Sequence, residues 1–278
     1  MLNQISILWL RFSGIAAALA MVLTLLIADP ALAGQPCEQR SHTVEQLSNG
    51  MELASRTARA LDREAVSVGV IARMGQDLSK WQQRYSHIGL VYRSSEPEAD
   101  PVWRVVHKLN DCGSDRANVY RQGLAEFFTD GPFDWETAIV PLTPELAEEF
   151  LPALTNDPKL LTGLHEPRYS MVSYVWGTRY QQSNQWALET LAMLLNPEIR
   201  TRSQAQRWLM AESYRADRLR LGTLTRLGAR VTKANVAFDD HPSRLRFAGR
   251  IDTTTADSVL RWLERTEFGD ARFVVRLN

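Results

Sequence analysis

The amino-acid sequence predicts an α+β protein in which an antiparallel sheet packs on helices, behind a removable export signal. In some segments apolar residues recur at intervals of three and four, which is the period of a helix. In others, short apolar runs are bounded by polar loops, which is typical of strands. The composition is that of a folded chain, since 45% of the residues are hydrophobic.

The first 33 residues have the three zones of a secretory signal peptide. Arg11 lies in a short polar start, an apolar run extends from Ile15 to Ala28, and Ala31-Leu32-Ala33 forms a small-residue cleavage box. A single membrane anchor is the alternative, but the run is short for a membrane span. We therefore expect cleavage after Ala33 and a periplasmic or secreted mature protein that does not span the membrane.

A helix and three strands are predicted next. The helix is indicated by apolar residues at helical spacing, namely Val44, Leu47, Met51, Ala54, Ala58 and Leu61. Strand-like runs follow at Val66 to Met74, His87 to Tyr92 and Val102 to Leu109. A polar loop with two prolines joins the last two runs, which suits a hairpin in an antiparallel sheet.

The later elements alternate between helices and short strands. We expect a helical or irregular segment from Val119 to Phe128, a strand at Ala138 to Leu142, and helices after Thr143, from Asn184 to Leu195 and from Ser203 to about Tyr214. The chain then predicts a strand (Leu245 to Ile251), a helix (Ala256 to Thr266) and a strand (Arg272 to Leu277). Residues 34–200 would form the core, and residues 201–278 a helical and α/β extension of the same domain.

Charge and cysteine content limit the partners. Basic and acidic residues are equal in number, 32 each, so no global field favours nucleic acid. Cys37 and Cys112 are the two cysteines, and an exported protein can join them in a disulfide. Neither cysteine has metal-ligand spacing and no phosphate-binding glycine loop occurs, so no cofactor is expected.

Two histidines mark a candidate site on neighbouring predicted strands. His87 lies at the head of a predicted apolar strand, in the run Ser86-His87-Ile88-Gly89. His107 lies in the next predicted strand, on the same face as Trp103 and Val105. If the strands pair, His107 could orient the ring of His87, as a general base requires. A structural role for a strand histidine is the alternative.

Ser183 lies where a helix is predicted to begin. Its hydroxyl could cap the free N–H groups of the helix, or serve as a nucleophile that the helix N-terminus supports. Local sequence does not distinguish the two roles.

The order of these features resembles the circularly permuted branch of the papain-like fold, which includes permuted NlpC-type peptidases and lecithin:retinol acyltransferase-like enzymes. There a base histidine on a strand precedes a cysteine in Asn-Cys-x-x-Phe, whereas this chain has Gln182-Ser183-x-x-Trp186. The resemblance covers roughly residues 67–192. It implies a permuted papain-like core with Ser183 as nucleophile, His87 as base, His107 as orienter and Gln182 as oxyanion donor. It also implies a peptidoglycan peptide or a lipid or acyl group as ligand.

The mature chain also resembles an uncharacterised family of exported bacterial proteins, through the blocks Pro167 to Ser170 and Gln181 to Glu189. That family implies no activity. Because serine replaces the expected cysteine, three hypotheses stay open. The protein is a serine-dependent amide or ester hydrolase or acyltransferase of the cell envelope, an inactive binding protein that keeps the groove, or a scaffold.

Overall fold

The computed structural model describes residues 42–94, 101–222 and 235–277. The expected signal peptide, residues 1–33, and Cys37 lie outside the described residues, so the cleavage site and the Cys37–Cys112 disulfide stay predictions. Within the described ranges, every helix falls short of the length and apolar character that crossing a membrane requires.

A six-stranded antiparallel sheet forms the centre of the protein, which confirms the predicted α+β class. Numbered in chain order, its strands are β1 (Val68–Arg73), β2 (His87–Ser94), β3 (Val102–Asn110), β4 (Ala117–Gly123), β5 (Glu136–Pro141) and β8 (Phe273–Arg276). Their spatial order is β4-β3-β2-β1-β5-β8. Strand β1 is buried at every residue because it has a neighbour on each side and helices on both faces.

The larger core lies on the sheet face that carries Val70, Leu90 and Val106. It is covered by α3 (Pro144–Asn156), α4 (Pro158–Thr162), α5 (Ser183–Leu195), α6 (Arg202–Ala211) and α8 (Ala256–Leu263). Trp186 of α5 and Trp262 of α8 are fully buried there. Burial of such large apolar side chains is the main force that holds these helices on the sheet.

The opposite face, which carries Ile71, Val91 and Val105, is covered by α1 (Val44–Arg63) and α2 (Leu124–Thr129). Thr43 and the side chain of the third helical residue form a capping box at the start of α1, which satisfies free N–H groups. Phe127 of α2 is fully buried beneath this face.

A smaller sheet lies beside the main one. It pairs β6 (Asp217–Arg220) with β7 (Arg250–Thr253), and the short helix α7 (Ser243–Phe247) precedes β7. After α8, the chain returns to the main sheet. There β8 pairs with β5 and forms the sixth strand, at the sheet edge.

Several local predictions were wrong. Residues Ala117–Gly123 form a strand where a helical or irregular segment was expected, and Ser243–Phe247 form a helix where a strand was expected to begin. Strand β4 lies at the sheet edge and buries few side chains, so its sequence lacks an apolar run. Ser183 is the first residue of α5 and Gln182 is its N-cap, so Ser183 is not the cap residue.

Candidate functional site

The structure brings His87 and His107 into direct contact. The Nε2 atom of His87 lies 2.8 Å from Nδ1 of His107, and the two rings are edge to face with centroids 5.1 Å apart. Gly89 makes the approach possible, because a Cβ there would lie 3.2 Å from the Cβ of His107 and only 2.5 Å from a methyl of Val105. Strand alternation therefore does place both rings on one face of the sheet.

Gln122 of β4 extends the pair into a chain of three side chains. Its Oε1 lies 2.7 Å from Nε2 of His107. A carbonyl oxygen only accepts, so Nε2 of His107 donates and its Nδ1 is the acceptor. That acceptor requires Nε2 of His87 to donate, which leaves Nδ1 of His87 unprotonated.

The other ring nitrogen of His87, Nδ1, is at least partly exposed. Among the described residues Nδ1 has no hydrogen-bond partner, and it is not one of the fully buried polar atoms that lack a partner. His87 is half-buried, whereas His107 is completely buried. The series of hydrogen bonds from Gln122 through His107 therefore ends at the lone pair of Nδ1 on His87, on the partly exposed side of the ring.

The surroundings keep both histidines neutral. Burial lowers the pKa of His87 well below 6.5, and the nearby Arg73 cation and His107 lower it further. Burial, followed by the charge of Arg73, lowers the pKa of His107 to about 4. Neutral rings are what the deduced arrangement of protons requires.

Arg73 lies directly across from His87 in β1. It is buried, donates to the backbone carbonyl of Asp130, and pairs with the Asp130 carboxylate at 2.6 Å. Its guanidinium lies 5.1 Å from the ring centroid of Phe127, which also packs on both histidine rings. The site thus places a neutral histidine pair next to a fixed positive charge, with the Phe127 ring packed against both.

Ser183 lies on the other side of the sheet. It begins α5, which packs with Leu90 and the other side chains of the larger core. Its partner is the buried Tyr169, whose pKa is raised by burial while hydrogen bonding to Ser183 opposes the rise. Among the described residues, no hydrogen bond joins Ser183 to either histidine.

Gln182 is held by internal contacts. Its side-chain amide donates to Thr253 Oγ1 at 3.0 Å and to the carbonyl of Thr254, and its backbone N–H donates to Ser173. An oxyanion donor must be free to meet the developing charge. The predicted oxyanion role would therefore require these bonds to break.

Asn184, which the sequence did not single out, connects α5 to the strand of His87. Strand β2 pairs with β3 only from Leu90 onward, and Asn184 bonds the β2 backbone just before that point. Its Oδ1 accepts from Ile88 N–H at 3.0 Å, and its Nδ2 donates to the Ser86 carbonyl at 3.2 Å. The helix thus reaches the backbone on both sides of His87, while the His87 ring projects from the opposite face.

The remaining polar residues of the Gln181 to Glu189 block form a buried network. Gln181 accepts from Lys108 Nζ at 2.9 Å and donates to Glu189, which also pairs with Arg202 at 2.6 Å. Burial, with the Arg202 charge as a smaller cause, lowers the pKa of Lys108 to about 7. Buried polar groups need such partners, so this block holds the helices and loops together.

Sequence reasoning found the two histidines but missed Gln122 and Arg73. Arg73 lies within the apolar run predicted as a strand at Val66 to Met74, so a charge inside that run was the available signal. Gln122 carried no signal because its strand was not predicted.

Fold and site define an α+β protein with helices on both faces of a six-stranded antiparallel sheet and a histidine pair at the open end of two strands. The chain belongs to DUF2145, a family described as uncharacterised and conserved in bacteria, whose model matches residues 60–263. The predicted membership of an uncharacterised bacterial family is thus confirmed. No curated protein matches the chain, and no solved structure does.

Proposed function

We propose that this protein is an exported hydrolase or acyltransferase for an amide or ester of the cell envelope, with His87 as its general base. One observation supports this proposal above the others. The hydrogen-bonded chain from Gln122 through His107 leaves an unprotonated, partly exposed nitrogen on His87.

Water is the nucleophile that this geometry favours. As the water oxygen bonds to the substrate carbonyl carbon, Nδ1 of His87 takes its proton, and His107 accepts the hydrogen bond from the resulting imidazolium. When the intermediate collapses, the bond to the leaving nitrogen or oxygen breaks, and His87 returns the proton to that atom. The positive charge of Arg73 disfavours a lasting imidazolium, which assists this return.

The papain-like resemblance enters the proposal through one element. As in that pattern, a helix begins beside the strand of the base histidine, and here Asn184 makes the contact. Ser183 as the nucleophile is the alternative route, and it would require the helix start to turn toward the His87 face.

Export and location belong to the same proposal. The three-zone segment at residues 1–33 supports them. Sequencing the N-terminus of protein from the periplasmic fraction should find Gly34 first. An intact N-terminus on membrane-bound protein would contradict cleavage.

A non-catalytic envelope protein is the second candidate. It is favoured by the internal contacts of Gln182 and of the Gln181 to Glu189 block, which leave these polar side chains with structural roles.

A panel of acyl esters and peptidoglycan peptides distinguishes the candidates. His87→Gln should lower the hydrolysis rate by about 100-fold or more, the usual contribution of a general base. His42→Gln is the matched control, because His42 is exposed and distant in sequence from the site. Activity should also decline as the pH falls through the lowered pKa of His87, because only the neutral ring accepts a proton.

Ser183→Ala separates the two nucleophiles. If water attacks, this variant retains activity and the wild-type protein is not labelled by a fluorophosphonate. Labelling that disappears in Ser183→Ala would transfer the nucleophile role to Ser183. Wild-type protein that turns over no member of the panel, or His87→Gln with full activity, would leave the binding role as the better explanation.

A further inference from the structure

We infer that the groove between α1 and β8 binds a phosphate group. The groove has a volume of about 320 Å³ and lies apart from the histidine pair, between Arg56, Arg59 and Arg63 on the helix and Arg276 on the strand. Val274 and Val275 provide apolar surface in the same groove.

Helix geometry gathers the arginines on one side. Positions 56, 59 and 63 are separated by three and four residues, so they share a face of α1. Arg56 is fixed against the strand, because its Nη1 donates to the carbonyls of Arg276 at 3.1 Å and Leu277 at 2.8 Å. The three helix arginines therefore line one groove together with the backbone of β8, whereas the Arg276 side chain pairs with Glu136 on the opposite face of the sheet.

The carboxylates nearby do not balance this charge. Glu52 pairs with Arg56 at 2.7 Å and Glu64 with Arg63 at 3.2 Å, so two carboxylates face the three arginines of the helix. Arg59 donates to Ser55 Oγ at 2.6 Å and forms no direct ion pair among the described residues, although its charge, after the hydrogen bond and charge of Arg56, helps to lower the pKa of Glu52. An anion in the groove would supply the missing charge.

Phosphate fits these donors better than a simple halide would. A guanidinium presents planar, paired N–H groups that bond two oxygens of one phosphate. Val274 is 41% exposed, so the groove also offers apolar contact to whatever carries the phosphate. A lipid headgroup and free phosphate share this chemistry, and the test separates them.

The test uses two double charge reversals in the mature protein. Arg59→Glu with Arg63→Glu alters the groove. Arg207→Glu with Arg215→Glu is the matched control, because both residues are exposed and have no ion pair among the described residues. Both variants change the net charge equally, and equal urea midpoints confirm that both are folded.

Calorimetry with inorganic phosphate and co-sedimentation with phosphatidylglycerol vesicles measure binding, with pure phosphatidylcholine vesicles as the uncharged reference. We expect the groove variant to bind at least about tenfold more weakly than wild type, and the control variant to bind like wild type. Groove-dependent binding of inorganic phosphate identifies a small anion, and groove-dependent binding of anionic vesicles alone identifies a lipid headgroup. Equal losses in both variants, or no binding by the wild type in either assay, would overturn the inference.

Discussion

Replacing Lys108 with methionine should make the stability of the protein less dependent on pH. The lysine is fully buried, with Nζ bonded to the Glu166 carbonyl and to Gln181. Its pKa falls from 10.5 to about 7, chiefly because burial disfavours the ammonium form. Methionine has a similar length and no charge, and Gln181 Oε1 keeps its bond from the Glu166 N–H at 2.9 Å.

The direction of this pH dependence follows from the number of protons that the folded and unfolded chains bind. Between pH 7 and pH 10.5 the unfolded chain binds the Lys108 proton and the folded chain does not, so the free energy of unfolding of the wild type rises with pH. The slope is at most about 1.4 kcal/mol per pH unit. Between pH 7 and pH 9, the free energy of unfolding of the wild type should therefore rise by about 2 kcal/mol relative to that of Lys108→Met.

Urea unfolding followed by tryptophan fluorescence measures the difference at both pH values. Lys159→Met is the control, because Lys159 is exposed and should show the same pH dependence as wild type. A gap between wild type and Lys108→Met that stays constant within about 0.5 kcal/mol would refute the lowered pKa, since an ordinary lysine contributes no such slope.

Three further substitutions test the packing and the polar contacts. Gly89→Ala should destabilise by about 1–3 kcal/mol in urea unfolding, because its Cβ would lie 2.5 Å from a methyl of Val105; unchanged stability would contradict the close strand contact. Glu189→Gln should cost about 3–5 kcal/mol, since Arg202 would be left buried without its carboxylate; a near-neutral result would show that the network tolerates loss of the charge. Gln122→Leu should let the histidine pair exchange tautomers, visible as changed imidazole nitrogen shifts in NMR spectra, whereas an unchanged spectrum would exclude Gln122 as the residue that directs the protons.

Elements with a strong pattern were predictable from the sequence. The apolar runs around β1, β2 and β3 identified the centre of the sheet, and alternation along the strands correctly placed His87 and His107 on one face. Strand β4 was missed because a mostly exposed edge strand needs few apolar residues.

The position of Ser183 could not be read from local sequence. A helix start has the same local signature whichever sheet face the helix covers, and that face depends on contacts with residues far along the chain. Only the structure shows α5 on the face opposite the histidine rings. The same limit applies to Gln182, whose partners Thr253 and Thr254 lie about seventy residues away.

Asn184 also affects the order in which the protein can fold. It supplies partners to backbone groups of residues 86 and 88, which precede it by 98 and 96 positions. Contacts between residues so distant in sequence form late, because a long loop must close first. During vectorial synthesis, the end of β2 around His87 would therefore stay incomplete until the chain beyond residue 184 has emerged. His87 could therefore reach its final geometry only after most of the chain has been synthesised.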